Sequence, residues 1–296
     1  MVRCKFCDSE SVVKKGFVLG KQFYECKSCN HRFVDNGSFA GMRTKSNVIA
    51  SGISLYYDGC SLRKCQKQIA EIWGVKVSQV TVLNWIRKYS GFVEKFVETL
   101  TPQLSGKYHH DETVVKIRGH DKWFWEMIDE DTRFLVASHL SDTRTFEDTV
   151  IQFRKSMEIG KARPQAIFVD GSQVYNSAFN RVFYSRYKVN KVELVQRVGI
   201  RARETNNVVE RLHGNLKDRL RPMRGLKEKE SSRQLLKGYV VNYNFVKPHS
   251  KLKGKTPAQV AGLDSNLNNW FSLIKTATTH RIAEEKRNVI SIEVEV

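Results

Sequence analysis

Two C-x-x-C pairs near the N-terminus constrain this chain more tightly than any other feature. Cys4-Lys5-Phe6-Cys7 and Cys26-Lys27-Ser28-Cys29 are separated by 18 residues (26 − 7 − 1). Each pair makes a tight turn with both sulfurs on one side, and two such turns complete a tetrahedron of thiolates. Between them, Val12, Val13, Phe17, Val18, Phe23 and Tyr24 predict short strands, with turns at Gly16 and Gly20. Residues 1–35 are therefore expected to form a zinc ribbon, with Zn2+ on Cys4, Cys7, Cys26 and Cys29. So small a module buries little apolar surface, and metal is expected to supply much of its folding energy. A redox dithiol is the alternative for a single C-x-x-C; the matched pair favours metal and a reducing, cytoplasmic setting.

The remaining chain is long enough for one large core. No apolar run approaches the roughly 20 residues of a membrane helix. The opening Met1-Val2-Arg3-Cys4 lacks the apolar segment of a signal peptide, so neither a span nor a cleaved leader is expected. Fifty Lys+Arg against 31 Asp+Glu give a net charge of +19, spread over folded-looking segments. That excess attracts polyanions, of which nucleic acid is the commonest.

Residues 36–105 are expected to hold a linker and a DNA-binding unit. The stretch 36–60 reads as a connector with a hydrophobic run around Val48 to Tyr57. Ser61-Leu62 opens a helix with Ile69, Ile72 and Trp73 inward, ending at Gly74; Ser78 opens a second with Val82, Trp85 and Ile86 inward. Two short helices around a glycine-containing turn resemble a helix-turn-helix. The second helix would offer Gln79, Thr81, Asn84 and Arg87 to DNA; an ordinary helical hairpin is the bland alternative.

From about residue 106 the pattern becomes β-rich. Tyr108–Arg118, Trp123–Asp129 and Phe134–Leu140 predict three strands in a meander, and Thr145–Met157 an amphipathic helix. Ala166–Val169 is a continuous apolar run, the mark of a strand buried on both faces. A helix (Tyr175–Phe183), a strand (Val192–Gln196) and a long helix (Thr205–Arg221) follow. This order matches the ribonuclease H-like fold, a mixed five-stranded sheet with helices, over residues 106–262. The tail, 263–296, shows no motif, and Ile290–Val296 reads as an edge strand.

Three carboxylates stand at telling places. Period two puts Asp111 on the apolar face of the first strand with Thr113, Val115 and Ile117, and Glu112 on the other. An aspartate there is costly without a partner. Asp170 follows the buried run directly, at the strand end where ligands gather in α/β sheets. Glu210 lies three residues before His213 and seven before Lys217, so all three project from one helix face. Each has a bland explanation alone, as an Asp-Gly turn, a surface partner of arginine or a strand-edge charge. Together they occupy the elements that two-metal phosphoryl transfer uses, and Mg2+ (or Mn2+) needs few such oxygen ligands.

The segments His110-Asp111-Glu112-Thr113, Val169-Asp170-Gly171 and Asn206-Asn207-Val208-Val209-Glu210-Arg211-Leu212-His213 resemble those of DDE transposases of bacterial and archaeal insertion sequences, in the insertion-sequence-six-like group. Arg221-Pro222-Met223-Arg224-Gly225 and Asn244-Phe245-Val246-Lys247-Pro248-His249 are similar to stretches that follow the glutamate in that superfamily. One departure is that 39 residues (210 − 170 − 1) separate Asp170 from Glu210, more than is usual, with the surplus fitted around Tyr184 to Lys191. The resemblance implies metal-dependent cleavage at the ends of an element and direct attack by the freed 3′-hydroxyl on target DNA. It implies Asp111, Asp170 and Glu210 as catalytic metal ligands and Lys217 as a phosphate contact. His213 is either a second phosphate contact or a helix-face histidine. Arg201, Arg203, Arg211, Arg219, Arg221 and Arg224 would hold the backbone. Two DNA ends must be brought together, so a homodimer is expected. The rivals are a ribonuclease H-like nuclease that cuts without joining and an inactive zinc-containing DNA-binding protein.

Overall fold

A computed structural model describes residues 2–184, 191–196, 200–223 and 226–294, without the side chains of 200–206 and 289–294. Strands β1 (Val12–Val18), β2 (Lys21–Cys26) and β3 (Arg32–Val34) form an antiparallel sheet in chain order. Its interior is small: Cys4, Cys26 and Phe33 are its buried apolar groups, with Phe6, Val12 and Tyr24 packed around them.

The expected connector is a helix. α1 (Ser46–Tyr57) buries Val48, Ile49, Ile53, Tyr56 and Tyr57. It packs on α2 (Leu62–Trp73) and α3 (Gln79–Val97). Both helices start at a serine cap: Lys64 N donates to Ser61 Oγ (3.3 Å) and Thr81 N to Ser78 Oγ (3.0 Å). Gly74, at φ +64°, ends α2 in the left-handed conformation that glycine adopts without strain. Against expectation, Ile72 and Trp73 point outward, at 59% and 38% exposure. The buried stripe of α2 is Cys65 and Ile69, one turn apart.

The larger sheet contains β4 (Lys107–Ile117), β5 (His120–Asp129), β6 (Leu135–Ser141), β7 (Ala166–Val169) and β8 (Glu193–Gln196), ordered β6-β5-β4-β7-β8. The first three form the antiparallel meander, and β7 runs parallel to both β4 and β8. With α4 (Phe146–Gly160), α5 (Gln173–Phe183) and α6 (Ile200–Leu220) interposed, this is the ribonuclease H-like fold. Asp129 fixes the β5–β6 turn: its carboxylate accepts from Ser105 N and Oγ and from Thr132 N and Oγ1 at 2.7–3.0 Å.

The segment after α7 (Lys229–Val241) explains the Asn244–His249 motif. Asn242–Val246 winds as a π-helical turn, and Asn244 Oδ1 accepts from Leu135 N (2.8 Å) while its Nδ2 donates to Leu135 O (3.0 Å). One side-chain amide thus covers the edge strand β6 as a neighbouring strand would. A short α8 (Pro257–Val260) leads to α9 (Trp270–Val294), which replaces the expected edge strand at 290–294. Residues 295–296 lie outside the described residues. Trp270, Leu273, Ile274, Ala277 and Ile282 give α9 a buried stripe at helical spacing. Trp270 stacks on Tyr57 and donates to Asn242 Oδ1 (3.0 Å), so the tail belongs to the main core. Among the described residues no helix is long and apolar enough to cross a membrane.

Candidate active site

Asp111 sits in the central strand. The parallel register pairs His109 with Phe168; carried two residues further, it sets Asp111 beside Asp170, which begins the turn after β7. Ser172 N closes that turn on Asp170 Oδ1 (2.9 Å). Strand phase separates Asp111 from Glu112 as expected: Glu112 points to the other face, where Tyr175 of α5 and Arg144 donate to it. Arg144 also lies 3.7 Å from Asp170, so one guanidinium spans two of the acids.

Two further acids and a histidine fill the Asp111 face. Glu126 faces Asp111 across the β4–β5 ladder and is fully buried. His213, on α6, is wedged between them, with Nε2 3.4 Å from Glu126 Oε2 and Nδ1 4.0 Å from Asp111 Oδ2. It is buried against these carboxylates, which is neither of the two expected roles. Glu210, one turn earlier on α6, is solvent-exposed above this cluster, and Lys217, one turn later, is exposed as well.

Burial governs the electrostatics. Asp111 is pushed up to about 7 by burial first, then by the charges of Glu112 and Asp170. Burial, followed by the charge of Asp111, raises Glu126 well above its ordinary value. Burial, with Lys217 nearby, lowers His213 to about 4, leaving it neutral. A carboxylate as disfavoured as Asp111 gains most from a cation, and carboxylate oxygens such as those of Asp111 and Asp170 suit a hard one. The residues therefore fit Mg2+ or Mn2+. Among the described residues, however, the carboxylates of Asp111, Asp170 and Glu210 are not gathered into one tight ligand cluster; Arg144 provides positive charge there instead.

The tight cluster is the four cysteines. Cys4, Cys7, Cys26 and Cys29 have all their sulfurs within 4.8 Å of one another, with Cys4–Cys29 and Cys7–Cys26 at 3.6 Å. Tetrahedral thiolates at ~2.3 Å from zinc stand ~3.8 Å apart. Burial raises the Cys26 thiol, but the amides of Cys29 and Ser28 outweigh it and bring Cys26 down to about 7.

The remaining residues divide by location. Gln79 and Asn84 are exposed on the first turns of α3, with Thr81 half-buried beside its cap. Arg87 is turned towards α7, donating to Ser231 Oγ (2.8 and 3.1 Å). Arg211 is exposed, and Arg221 lies 3.6 Å from Asp218. Arg219 departs from the expected basic face: it is buried, its guanidinium 3.7 Å from the ring centroid of Tyr56. Arg224, the side chains of Arg201 and Arg203, and most of the surplus at Tyr184–Lys191 lie outside the described residues. Sequence reasoning missed Glu126, Arg144 and Tyr175. Only Glu126 left a trace, as an acid inside the apolar run Trp123–Ile128.

Residues 105–249, which include all three expected carboxylates, match a family model described as a DDE domain, that of the IS240 group of transposases. The uncharacterized 48.3 kDa protein of insertion element ISM1 from Methanobrevibacter smithii is 25% identical over 135 residues, covering 39% of this chain and 32% of that protein. The chain thus spans about a third of the length of that relative. Among solved structures, the HTLV-2 integrase catalytic core domain in complex with magnesium (dimeric form) overlaps 55% of this chain and 98% of its own, at 17% identity and a TM-score of 0.38. A simian T-cell lymphotropic virus intasome in complex with the PP2A regulatory subunit B56 gamma overlaps 72% of this chain and 75% of its own, at 14% identity and a TM-score of 0.40.

Proposed function

We propose that the chain is a transposase that cuts DNA at the ends of an insertion sequence and joins them to target DNA, a reading supported by the match of residues 105–249 to a DDE domain model. The observation that carries this reading is the parallel register His109↔Phe168, which, carried two residues further, sets Asp111 beside Asp170, with His213 of α6 4.0 Å from Asp111. Asp111, Asp170 and Glu210 would hold one or two Mg2+ (or Mn2+) ions, which when bound activate the attacking oxygen and stabilise the leaving one. Glu126 and neutral His213 fill the space behind Asp111. Arg144 balances Glu112 and Asp170. Lys217, Arg211, Arg221 and Arg224 would contact backbone phosphates and set the register of the strand. Gln79, Thr81, Asn84 and Arg87 would read or position the element's end from the helix-turn-helix, and the cysteine cluster would hold structural Zn2+. Synapsis of two ends calls for a homodimer, acting in the cytoplasm on the cell's DNA.

The test is a strand-transfer assay with labelled duplexes carrying the sequences that flank this reading frame. Wild-type protein with Mg2+ should yield nicked ends and then joined product. Asp170→Ala should lose both while still binding the duplex. Cleavage without joining would point to a nuclease, and cleavage retained by Asp170→Ala would refute the site.

A further inference from the structure

Beside the carboxylates lies a second concavity, of which the reading above uses only Arg211. It is a cavity of about 430 Å3 between α6 and the turn that follows the π-helical segment. Four cations line it from three separate elements: Arg133 from the β5–β6 turn, Arg211 from α6, and Lys247 and Lys251 from the turn. Among the described lining residues Glu130 is the one acid, and no ion pair is formed by any of the four cations with a described residue. In a chain of net charge +19, scattered unpaired lysines are ordinary. Four converging on one hollow is different, because their mutual repulsion is relieved only by an anion.

Two details show that the hollow is held in shape. Lys247 Nζ donates to Asn215 Oδ1 (2.7 Å), which fixes its ammonium against α6. Arg133 has φ +60°, a conformation that glycine adopts freely and arginine rarely does. His249 stands edge-on to Tyr243 at 4.6 Å, and burial followed by the charges of Lys247 and Arg133 lowers it to about 4. It therefore adds a neutral ring to the wall rather than a fifth charge.

Position connects the cavity to the chemistry. His109 lines it, and His109 and Asp111 are two residues apart on the same face of β4, or roughly 7 Å along the strand. A DNA strand reaching the carboxylates therefore passes the cavity with a neighbouring nucleotide. The volume exceeds what a lone phosphate fills, and the walls mix charge with ring and aliphatic surface, as single-strand sites do.

We propose that this cavity is a subsite for one nucleotide of a single DNA strand, with its backbone phosphate held by Arg133, Arg211, Lys247 and Lys251 next to the scissile position. The proposal rests on the transposase reading and adds to it a fixed seat for the strand, separate from the carboxylates. Such a seat sets which phosphodiester lies at Asp111, because the distance between the two points is built into β4.

The probe is a fluorescein-labelled oligothymidylate, its binding followed by anisotropy over a salt series without divalent metal. The variant Arg133→Gly/Lys251→Ala removes two of the cations, and glycine suits the backbone at 133. Lys161→Ala/Arg163→Ala removes the same charge from an exposed stretch elsewhere and serves as the control. The cavity variant should lower the slope of log K against log salt by about 1 relative to the control. Oligonucleotides with one neutral methylphosphonate linkage, walked along the strand beside a labelled element end, should show one position that weakens wild-type binding and has no effect in the variant. A variant with the wild-type slope and the wild-type methylphosphonate profile overturns the subsite, even where wild-type protein cuts and joins DNA. A variant that shows both changes supports it, even if the wild-type protein proves unable to join ends. Lys251→Ala alone, read in the same two ways, serves if the double variant is unstable.

Discussion

Replacing Asp111 by asparagine should make the metal-free protein more stable at pH 8 while abolishing its response to Mg2+. Burial, Glu112 and Asp170 raise this carboxyl from 3.8 to about 7, and its side chain is 23% exposed. A carboxyl with a higher value in the folded than in the unfolded chain keeps its proton longer when folded. Stability is therefore undiminished below about pH 4 and declines as pH rises towards 7, where the folded carboxyl at last ionises. At ~1.4 kcal/mol per pH unit, the rise from 3.8 to about 7 corresponds to about 4 kcal/mol lost by pH 8. Asparagine keeps the acceptor for Glu112 N, which donates to Asp111 Oδ1 at 2.9 Å, and removes the charge.

The assay is thermal unfolding of wild type and Asp111→Asn at pH 4.5, 6 and 8, with and without Mg2+. Without metal, the variant's advantage should be small at pH 4.5, about a quarter of its full size, and reach several degrees at pH 8. Added Mg2+ should raise the wild type at pH 8 and leave the variant unchanged. Metal and proton compete for the same carboxyl, so the wild-type Mg2+ affinity should fall about tenfold from pH 8 to pH 6. A variant no more stable than wild type at pH 8, or a difference independent of pH, would refute the account of Asp111 as an ionised group held against its preference.

Three other perturbations follow from the same structure. Cys26→Ser, or a strong chelator, should open the ribbon to trypsin at Lys14, Lys15 and Lys21, with release of one zinc per chain measured by a colorimetric dye; an uncleaved, zinc-free ribbon would contradict the thiolate site. Gly238→Ala should destabilise the chain by ~1–3 kcal/mol in urea melts, because a Cβ there would clash with Tyr57 Oη and Ser90 Oγ. Arg144→Ala should tighten Mg2+ binding several-fold in calorimetry, since a cation now 3.7 Å from Asp170 is removed, and should lower metal-free thermal stability; unchanged affinity would show that Arg144 does not compete with metal.

Where periodicity was long, the sequence disclosed the fold. The strand phase of Tyr108–Arg118 assigned Asp111 and Glu112 to opposite faces, and the run Ala166–Val169 marked the strand that delivers Asp170. Glu126 stayed hidden because its importance comes from the register Asp111↔Glu126, which no local pattern encodes. The helical nature of α1 was masked by Gly52 amid β-branched and aromatic neighbours. That glycine is a packing requirement: a Cβ on it would stand 3.1 Å from Ile69 Cδ1, so the helix needs a small residue where α2 and α3 close on it. At the other end, Ile290–Val294 alternates like a strand yet continues α9, because the stripe from Trp270 to Ile282 sets the helix before the alternation begins.

Arg219 shows how the two halves of the chain are joined. It lies nine residues after Glu210, half a revolution around α6, so the helix presents Glu210 to the carboxylates and Arg219 to the opposite side. There the guanidinium is buried over the ring of Tyr56 in α1, and the Tyr56 hydroxyl reaches Met223 Sδ (3.7 Å) just past the end of α6. Tyr57, the next residue, is bonded to Ser90 of α3 (2.8 Å) and donates to the Leu235 carbonyl of α7 (3.2 Å). A desolvated cation on an aromatic face is among the stronger contacts of its size. The helix that carries Glu210 is therefore anchored to the bundle of α1, α2 and α3. An arginine that reads as a DNA contact in the sequence instead joins α6 to α1.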